Sequence, residues 1–211
     1  MHLHAATGAR GALVLGHGAG GGVGAPDLVA TTEAAQAEGF GVALVEQPYR
    51  VAGRRSSPPA RQLDAAWIAV VEHLAANRLA GLPLIAGGRS AGARVACRTA
   101  AETGAAGVLC LAFPLRPPRR RSATKDPPSR LPELDAVTVP TLVVQGEGDR
   151  FGMPPPGPSR RVARVAGDHA LKKDLDAVGA AVREWLRDSD RCGSRCIGSG
   201  IVAVIASCGY F

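Results

Sequence analysis

Short, nearly unbroken apolar runs alternate along this chain with longer segments in which apolar residues recur every three or four positions. The runs at 12–15, 42–45, 84–86, 108–112, 141–144 and 162–165 are of strand length. Their lack of polar alternation fits strands covered on both faces. Leu63, Ala66, Trp67, Val70, Val71 and Leu74 fall on one stripe of 3.6-residue period, which predicts a helix packed on a sheet. Leu171, Leu175, Val178, Val182 and Trp185 predict another near the end of the apolar pattern. An earlier helix is expected to open at Pro26, a favoured first-turn residue, and to stop at Gly39. This alternation predicts an α/β fold, a mostly parallel sheet of about six strands with helices on both faces.

Two stretches break the rhythm. Residues 115–133 are rich in proline and arginine and suggest a surface excursion rather than a second domain. After Asp188 the composition turns to glycine, serine and cysteine, with an isolated apolar patch at 201–206. That tail fits a docked extra strand, a disordered appendage or sequence unrelated to the fold. The expected organisation is one domain over 1–188 and a tail over 189–211 of uncertain structure. Aromatic residues make up only 4% of the 211 positions, so small apolar side chains must fill much of the core.

Charge narrows the function classes. The net charge of +7 implies a basic surface. No aromatic residues interleave with the arginines, however, so neither a nucleic-acid partner nor a nucleic-acid motif is expected. The densest basic cluster, Arg116, Arg119, Arg120, Arg121 and Lys125, lies among prolines and suggests a solvated loop first, and an attractor for acidic substrates second. The N-terminus has no long apolar stretch behind basic residues, and no run approaches the roughly 18 apolar residues of a membrane helix. Neither a signal peptide nor a membrane partner is expected. The five cysteines, Cys97, Cys110, Cys192, Cys196 and Cys208, form no regular framework, and two lie in expected core elements. Reduced thiols in a cytoplasmic protein are the expectation. Cys192 and Cys196 can meet on a helix, but no histidine stands nearby to complete a metal site.

The chemistry concentrates in Gly88-Arg89-Ser90-Ala91-Gly92, which follows an apolar run and precedes a helical segment. Strand, tight turn and helix is the setting of a G-x-S-x-G nucleophile elbow, in which small residues let the chain turn and present the serine Oγ. His17-Gly18-Ala19-Gly20 follows the first parallel strand. The Ala19 amide and the Ala91 amide are candidates for an oxyanion hole, with His17 supporting the loop through hydrogen bonds. Asp149 follows the strand at 141–144 and His169 follows the strand at 162–165, giving the order Ser90, Asp149, His169. Ser90 is the candidate nucleophile, His169 the base and Asp149 the orienting acid, with Glu147 an alternative acid two residues away. A competing pattern, Gly16, Gly18 and Gly21 with Glu46 after the next strand, suggests a dinucleotide site. There Val23-Gly24-Ala25-Pro26 delays the helix, and the serine, acid and histidine are left unexplained.

The segments LVLGHGAGGG at 13–22, GGRSAGARVACR at 87–98, LVVQGEGDRFGMP at 142–154 and GDHALKK at 167–173 resemble the small, lidless α/β hydrolases of the dienelactone-hydrolase-like group. Within that group they look closest to the branch containing the hydrolase-like domain of a subunit of the NSL histone-acetyltransferase complex. The resemblance spans about residues 10–187. It implies the α/β-hydrolase fold and a Ser90–His169–Asp149 serine esterase that needs no metal or organic cofactor. The sequence departs from the wider family in three ways: leading antiparallel strands missing or much shortened, no inserted cap domain, and Ser90 where dienelactone hydrolases carry cysteine. NSL-type members imply that the same scaffold can serve as a binding module. Scarce aromatics and the absent cap predict a shallow site for small ester-type substrates with short acyl groups.

Overall fold

Successive residues of the central strands enter opposite cores, which is why their sequences are apolar throughout. Ala12, Val14, Ala43, Val45, Ala86, Val108 and Val143 face one core. Leu13, Leu15, Val42, Leu44, Leu109, Leu111 and Leu142 face the other. The central strands therefore give mostly small side chains to the first core, where Trp67 and Phe113 add bulk, and mostly leucine to the second. The computed structural model describes residues 1–117 and 127–197. Its strands are β1 (His2–His4), β2 (Gly11–Gly16), β3 (Phe40–Val45), β4 (Leu84–Arg89), β5 (Gly107–Leu111), β6 (Thr141–Gly146) and β7 (Arg160–Val165). They form one seven-stranded sheet in the order β1-β3-β2-β4-β5-β6-β7. All neighbours run parallel except β1, which pairs antiparallel with β3, Leu3 opposite Ala43.

β1 raises the count above the expected six. Three residues are too short to carry a period, and its place beyond β3 makes it an abbreviated antiparallel leader at the sheet edge.

Six helices complete the described fold: α1 (Pro26–Ala37), α2 (Pro48–Val51), α3 (Ala60–Ala76), α4 (Ala91–Arg98), α5 (Leu131–Asp135) and α6 (Leu175–Ile197). α1 and α6 cover the leucine face through Leu28, Ala34, Val178, Val182 and Leu186. α3, α4 and α5 cover the small-residue face through Leu63, Trp67, Ala93, Ala96 and Leu134. α1 opens at Pro26, and the chain leaves it through Gly39 at φ +77°.

α6 departs from the stripe read off the sequence. Leu171 is fully buried in the leucine core, but it sits in a turn at φ +50°, ahead of the helix. Asp168 accepts from the Ala170 and Leu171 amides at 2.9 and 3.1 Å, and Asp174 accepts from the Ala177 amide at 2.9 Å. Local acceptors thus set the start of the helix, and periodicity alone could not place it. At its other end α6 continues past Asp188 through Ile197. The apolar patch at 201–206, Cys208, Arg119, Arg120, Arg121 and Lys125 lie outside the described residues.

The connections create a crevice. From β2 the chain passes through α1 to β3 on one side, then through α3 to β4 on the other side of β2. The loops leaving β2 and β4 therefore diverge at the carboxyl ends of adjacent strands, the switch point where open α/β sheets bind ligands. Cys97 and Cys110 are buried and unbridged, their sulfurs 3.4 Å apart. Among the described residues no helix is long and apolar enough to cross a membrane.

Candidate active site

β4 ends at Arg89 and α4 begins at Ala91, so Ser90 alone makes the turn. Its φ of +52° and ψ of −105° lie in a region that costs a non-glycine residue about 1–3 kcal/mol. The strain is held by a bond from the Ser90 amide to the Leu111 carbonyl at 2.9 Å and another from the Arg94 amide to the Ser90 carbonyl at 3.2 Å. For the chain to reverse here, α4 must lie directly against β2. A Cβ on either Gly88 or Gly92 would overlap the carbonyl oxygen of Gly16. The two outer glycines of the pentapeptide are thus a steric requirement of the turn that exposes the serine.

His169, after β7, reaches this serine. Its Nε2 stands 3.0 Å from Ser90 Oγ, and its Nδ1 stands 2.8 Å from Asp149 Oδ2. A carboxylate only accepts, so the ring proton belongs on Nδ1 and Nε2 is left to accept from the serine hydroxyl. The Asp149 side chain is 1% exposed and that of His169 20%. Glu147 is exposed, and among the described residues it makes no bond to His169. The geometry therefore brings Asp149, of the two candidate acids, to the histidine.

Asp149 is itself held from two sides. The Phe151 amide donates to its Oδ1 at 2.9 Å, and Gln145 Nε2 donates to its Oδ2 at 2.8 Å. Gln145, fully buried on β6, also directs Nε2 at the Gly152 carbonyl (2.9 Å) and the Phe113 carbonyl (3.1 Å). Three acceptors around one amide nitrogen fix its orientation, at the cost of a buried Oε1 without a partner. The Phe151 ring meets the His169 ring edge-on, centroids 4.4 Å apart. The sequence reading missed Gln145. Its one signal was a polar residue in the buried run of β6.

The loop after β2 lies over the elbow. His17 Nδ1 donates to the Gly18 carbonyl at 2.8 Å, and its Nε2 accepts from the Gln47 amide at 2.9 Å. This pairing requires a neutral ring. Burial holds its pKa below the ordinary 6.5, against a smaller upward pull from the Gly18 carbonyl. As pH falls through that ordinary value the unfolded chain takes up a proton that the folded ring resists, so acidification works against this loop. Tyr49 Oη donates to the Ala19 carbonyl at 3.3 Å and fixes that peptide. Among the described residues no backbone carbonyl accepts from the Ala19 or Ala91 amide. Ala91 is the first residue of α4, where an amide has no partner inside its helix.

The dinucleotide pattern is not realised. α1 opens at Pro26, well past Gly16, Gly18 and Gly21, so the helix that follows β2 does not start at these glycines. A single parallel strand, β3, lies outboard of β2, followed by the antiparallel β1. Among the described residues no group of three or more His, Cys, Asp or Glu side chains is arranged to hold a metal ion.

One further contact was absent from the sequence reading. Arg89 bonds both to Asp27 in the first turn of α1 and to the His169 carbonyl, each at 2.8 Å.

Solved structures resemble this fold. Est1E from Butyrivibrio proteoclasticus, described with ferulic acid bound, superposes with a TM-score of 0.71 at 15% identity, covering 90% of this chain and 94% of its own. A dienelactone hydrolase from Anabaena variabilis gives 0.67 at 20% identity, covering 88% and 89%. A serine hydrolase without a lid from Xanthomonas campestris gives 0.66 at 18% identity, covering 85% and 83%. At such identities the likeness is one of fold. The model of the family described as "Alpha/beta hydrolase domain" matches residues 9–173, and the chain belongs to that family.

Proposed function

We propose that this protein is a serine hydrolase, an esterase or related acyl hydrolase acting on small ester-type substrates. The observation that carries this reading is the continuous chain from Ser90 Oγ through both His169 nitrogens to the buried Asp149, with Ser90 held at positive φ. In the mechanism Ser90 Oγ attacks the acyl carbon as its proton passes to His169 Nε2. Asp149 stabilises the imidazolium, and the Ala19 and Ala91 amides receive the oxyanion. His169 returns the proton to the departing alkoxide. It then takes one from the water that attacks the acyl-enzyme, which frees the acid and restores Ser90.

The site favours short acyl groups. A long chain needs an apolar groove, since each buried methylene contributes roughly 0.8 kcal/mol. Beside Ser90 stand His169 and Gly18 of the glycine-rich loop after β2, and the chain is poor in aromatics. The ferulic acid bound to Est1E and the lidless description of the Xanthomonas hydrolase support a small, open site. Arg116, which opens the basic segment after β5, supports a preference for substrates carrying a carboxylate. A cytoplasmic setting, supported by the unbridged Cys97 and Cys110, belongs to the same reading.

The test is hydrolysis of a p-nitrophenyl ester series. Catalytic efficiency should peak at acetate to butyrate and fall by octanoate. Ser90→Ala should remove the activity, a loss of about 10⁴-fold or more, while the thermal melt is retained. A profile still climbing at octanoate would contradict the shallow site. Well-folded wild-type protein without turnover would favour the non-catalytic binding module suggested by the NSL-type resemblance.

A further inference from the structure

The mechanism above leaves one buried ion pair without a task. Asp27 is fully buried, and the Arg89 side chain is 16% exposed. Burial pushes the Asp27 carboxyl up, and the adjacent Arg89 charge pulls it back. Such a pair is weak evidence for stability, because apolar side chains of similar volume often serve a core as well or better. Its location suggests a different use, since Arg89 immediately precedes the nucleophile and the pair joins two otherwise separate parts of the site.

We propose that Asp27 and Arg89 are positioning residues that set the backbone of His169, and through it the imidazole, against Ser90. This inference rests on the reading of His169 as general base.

The guanidinium is planar and its donors stand in a fixed fork. Asp27 Oδ2 accepts from Nε at 2.8 Å, while Asp27 Oδ1 is occupied by the Leu28 amide at 3.0 Å. With Nε engaged, the plane of the fork is set, and Nη2 is aimed at the His169 carbonyl at 2.8 Å. On its other edge Nη1 lies against the loop after β2, so that a Cβ on Gly18 would come within 2.9 Å of it. One rigid group thereby ties the end of β4 and the start of α1 to the oxyanion loop and the histidine loop.

The histidine loop otherwise depends on its own turn, on its neighbour and on its packing against β6, where a Cβ on Gly146 would overlap the Asp168 carbonyl oxygen. Asp168 accepts from the amides of Ala170 and Leu171, and the Gly148 amide donates to the Gly167 carbonyl at 2.8 Å. Among the described residues the Arg89 bond is the one hydrogen bond made to the His169 backbone. Among the described residues the ring itself has only its bonds to Ser90 and Asp149 and the edge contact with Phe151. A peptide free to rotate there would carry Nε2 away from the serine.

Arg89→Lys and the double variant Asp27→Asn/Arg89→Gln test the proposal on the full chain. The lysine keeps a charge beside Asp27 but cannot hold two acceptors in one plane. The double variant leaves no buried charge unpaired, so each checks the other against loss of folding. Two readouts are taken: p-nitrophenyl acetate kinetics, and the downfield proton resonance of His169 Nδ1–H, identified by its absence in His169→Gln. Both variants should melt cooperatively, lose about 10- to 100-fold in kcat with KM within about twofold, and show the resonance weakened or lost. A folded variant of either kind with wild-type kcat and an undiminished resonance would overturn the proposal. If the wild type shows the resonance but no hydrolysis, the esterase reading fails by itself, and the resonance in the two variants still decides the positioning role.

Discussion

Ser90 and His169 approach each other from two halves of the molecule that are built differently. The serine half is made by contact between main chains. Gly88 on β4 and Gly92 on α4 have no room for a Cβ against Gly16 on β2, and the small side chains that the sheet and α4 place beneath let α4 come this close. The histidine half shares one such contact, since a Cβ on Gly146 of β6 would overlap the Asp168 carbonyl oxygen, but polar side chains set the reacting residues there. Gln145 and the Phe151 amide hold Asp149, Asp149 holds His169, and Asp27 with Arg89 holds the backbone of His169. A contact between main chains admits no substitute, so damage there should fall on the fold. A hydrogen-bonded network can lose a member and keep its packing, so damage there should fall on the rate.

The largest effect is expected from Gly92→Ala. Its Cβ would meet the Gly16 carbonyl, and relieving that overlap moves α4 off β2, for a loss of roughly 3–5 kcal/mol or failure to fold. Gly24→Ala, at a position with nothing within 4 Å, should stay within about 0.5 kcal/mol of wild type. Denaturant melts of the two proteins check this contrast. Equal stabilities would mean that the elbow is not held sterically.

A smaller effect on stability, and a clear one on rate, is expected from Gln145→Leu. The substitution removes the donor to Asp149 together with the partnerless Oε1, so stability should fall by no more than about 2 kcal/mol. With its carboxylate less firmly held, the enzyme should lose about 10- to 100-fold in kcat on p-nitrophenyl acetate. Activity that declines only in step with the unfolded fraction would make Gln145 purely structural and erase the difference between the halves.

The same division explains what could be read in advance. The five inner parallel strands were legible because burial on both faces leaves an unbroken apolar run, the edge strand β7 only through a short one broken by the exposed Arg164, and the elbow because only glycine fits where Gly88 and Gly92 stand. The candidates Ser90, Asp149 and His169 are suggested by their order after β4, β6 and β7, and the structure brings their side chains within hydrogen-bond reach. Asp149 is the acid the sequence favours, but Glu147 stays open beside it, since both follow β6 and only the folded turn brings Asp149 inward. Leu171 misled because a fully buried leucine in a turn looks like one on a helix. β1 is too short to show a pattern. Asp27 and Arg89 were invisible for a different reason: partners 62 residues apart, on a helix and a strand that each look complete alone, leave no local trace of their pairing.

Whether Ser90 is an activated nucleophile is decided by labelling with a fluorophosphonate probe followed by peptide mapping. A serine reacts with such a probe near neutral pH when a base and oxyanion donors stand in place. Labelling should map to Ser90, disappear in Ser90→Ala and slow sharply in His169→Ala. Folded wild-type protein that stays unlabelled, or that is labelled at another residue, would contradict the account.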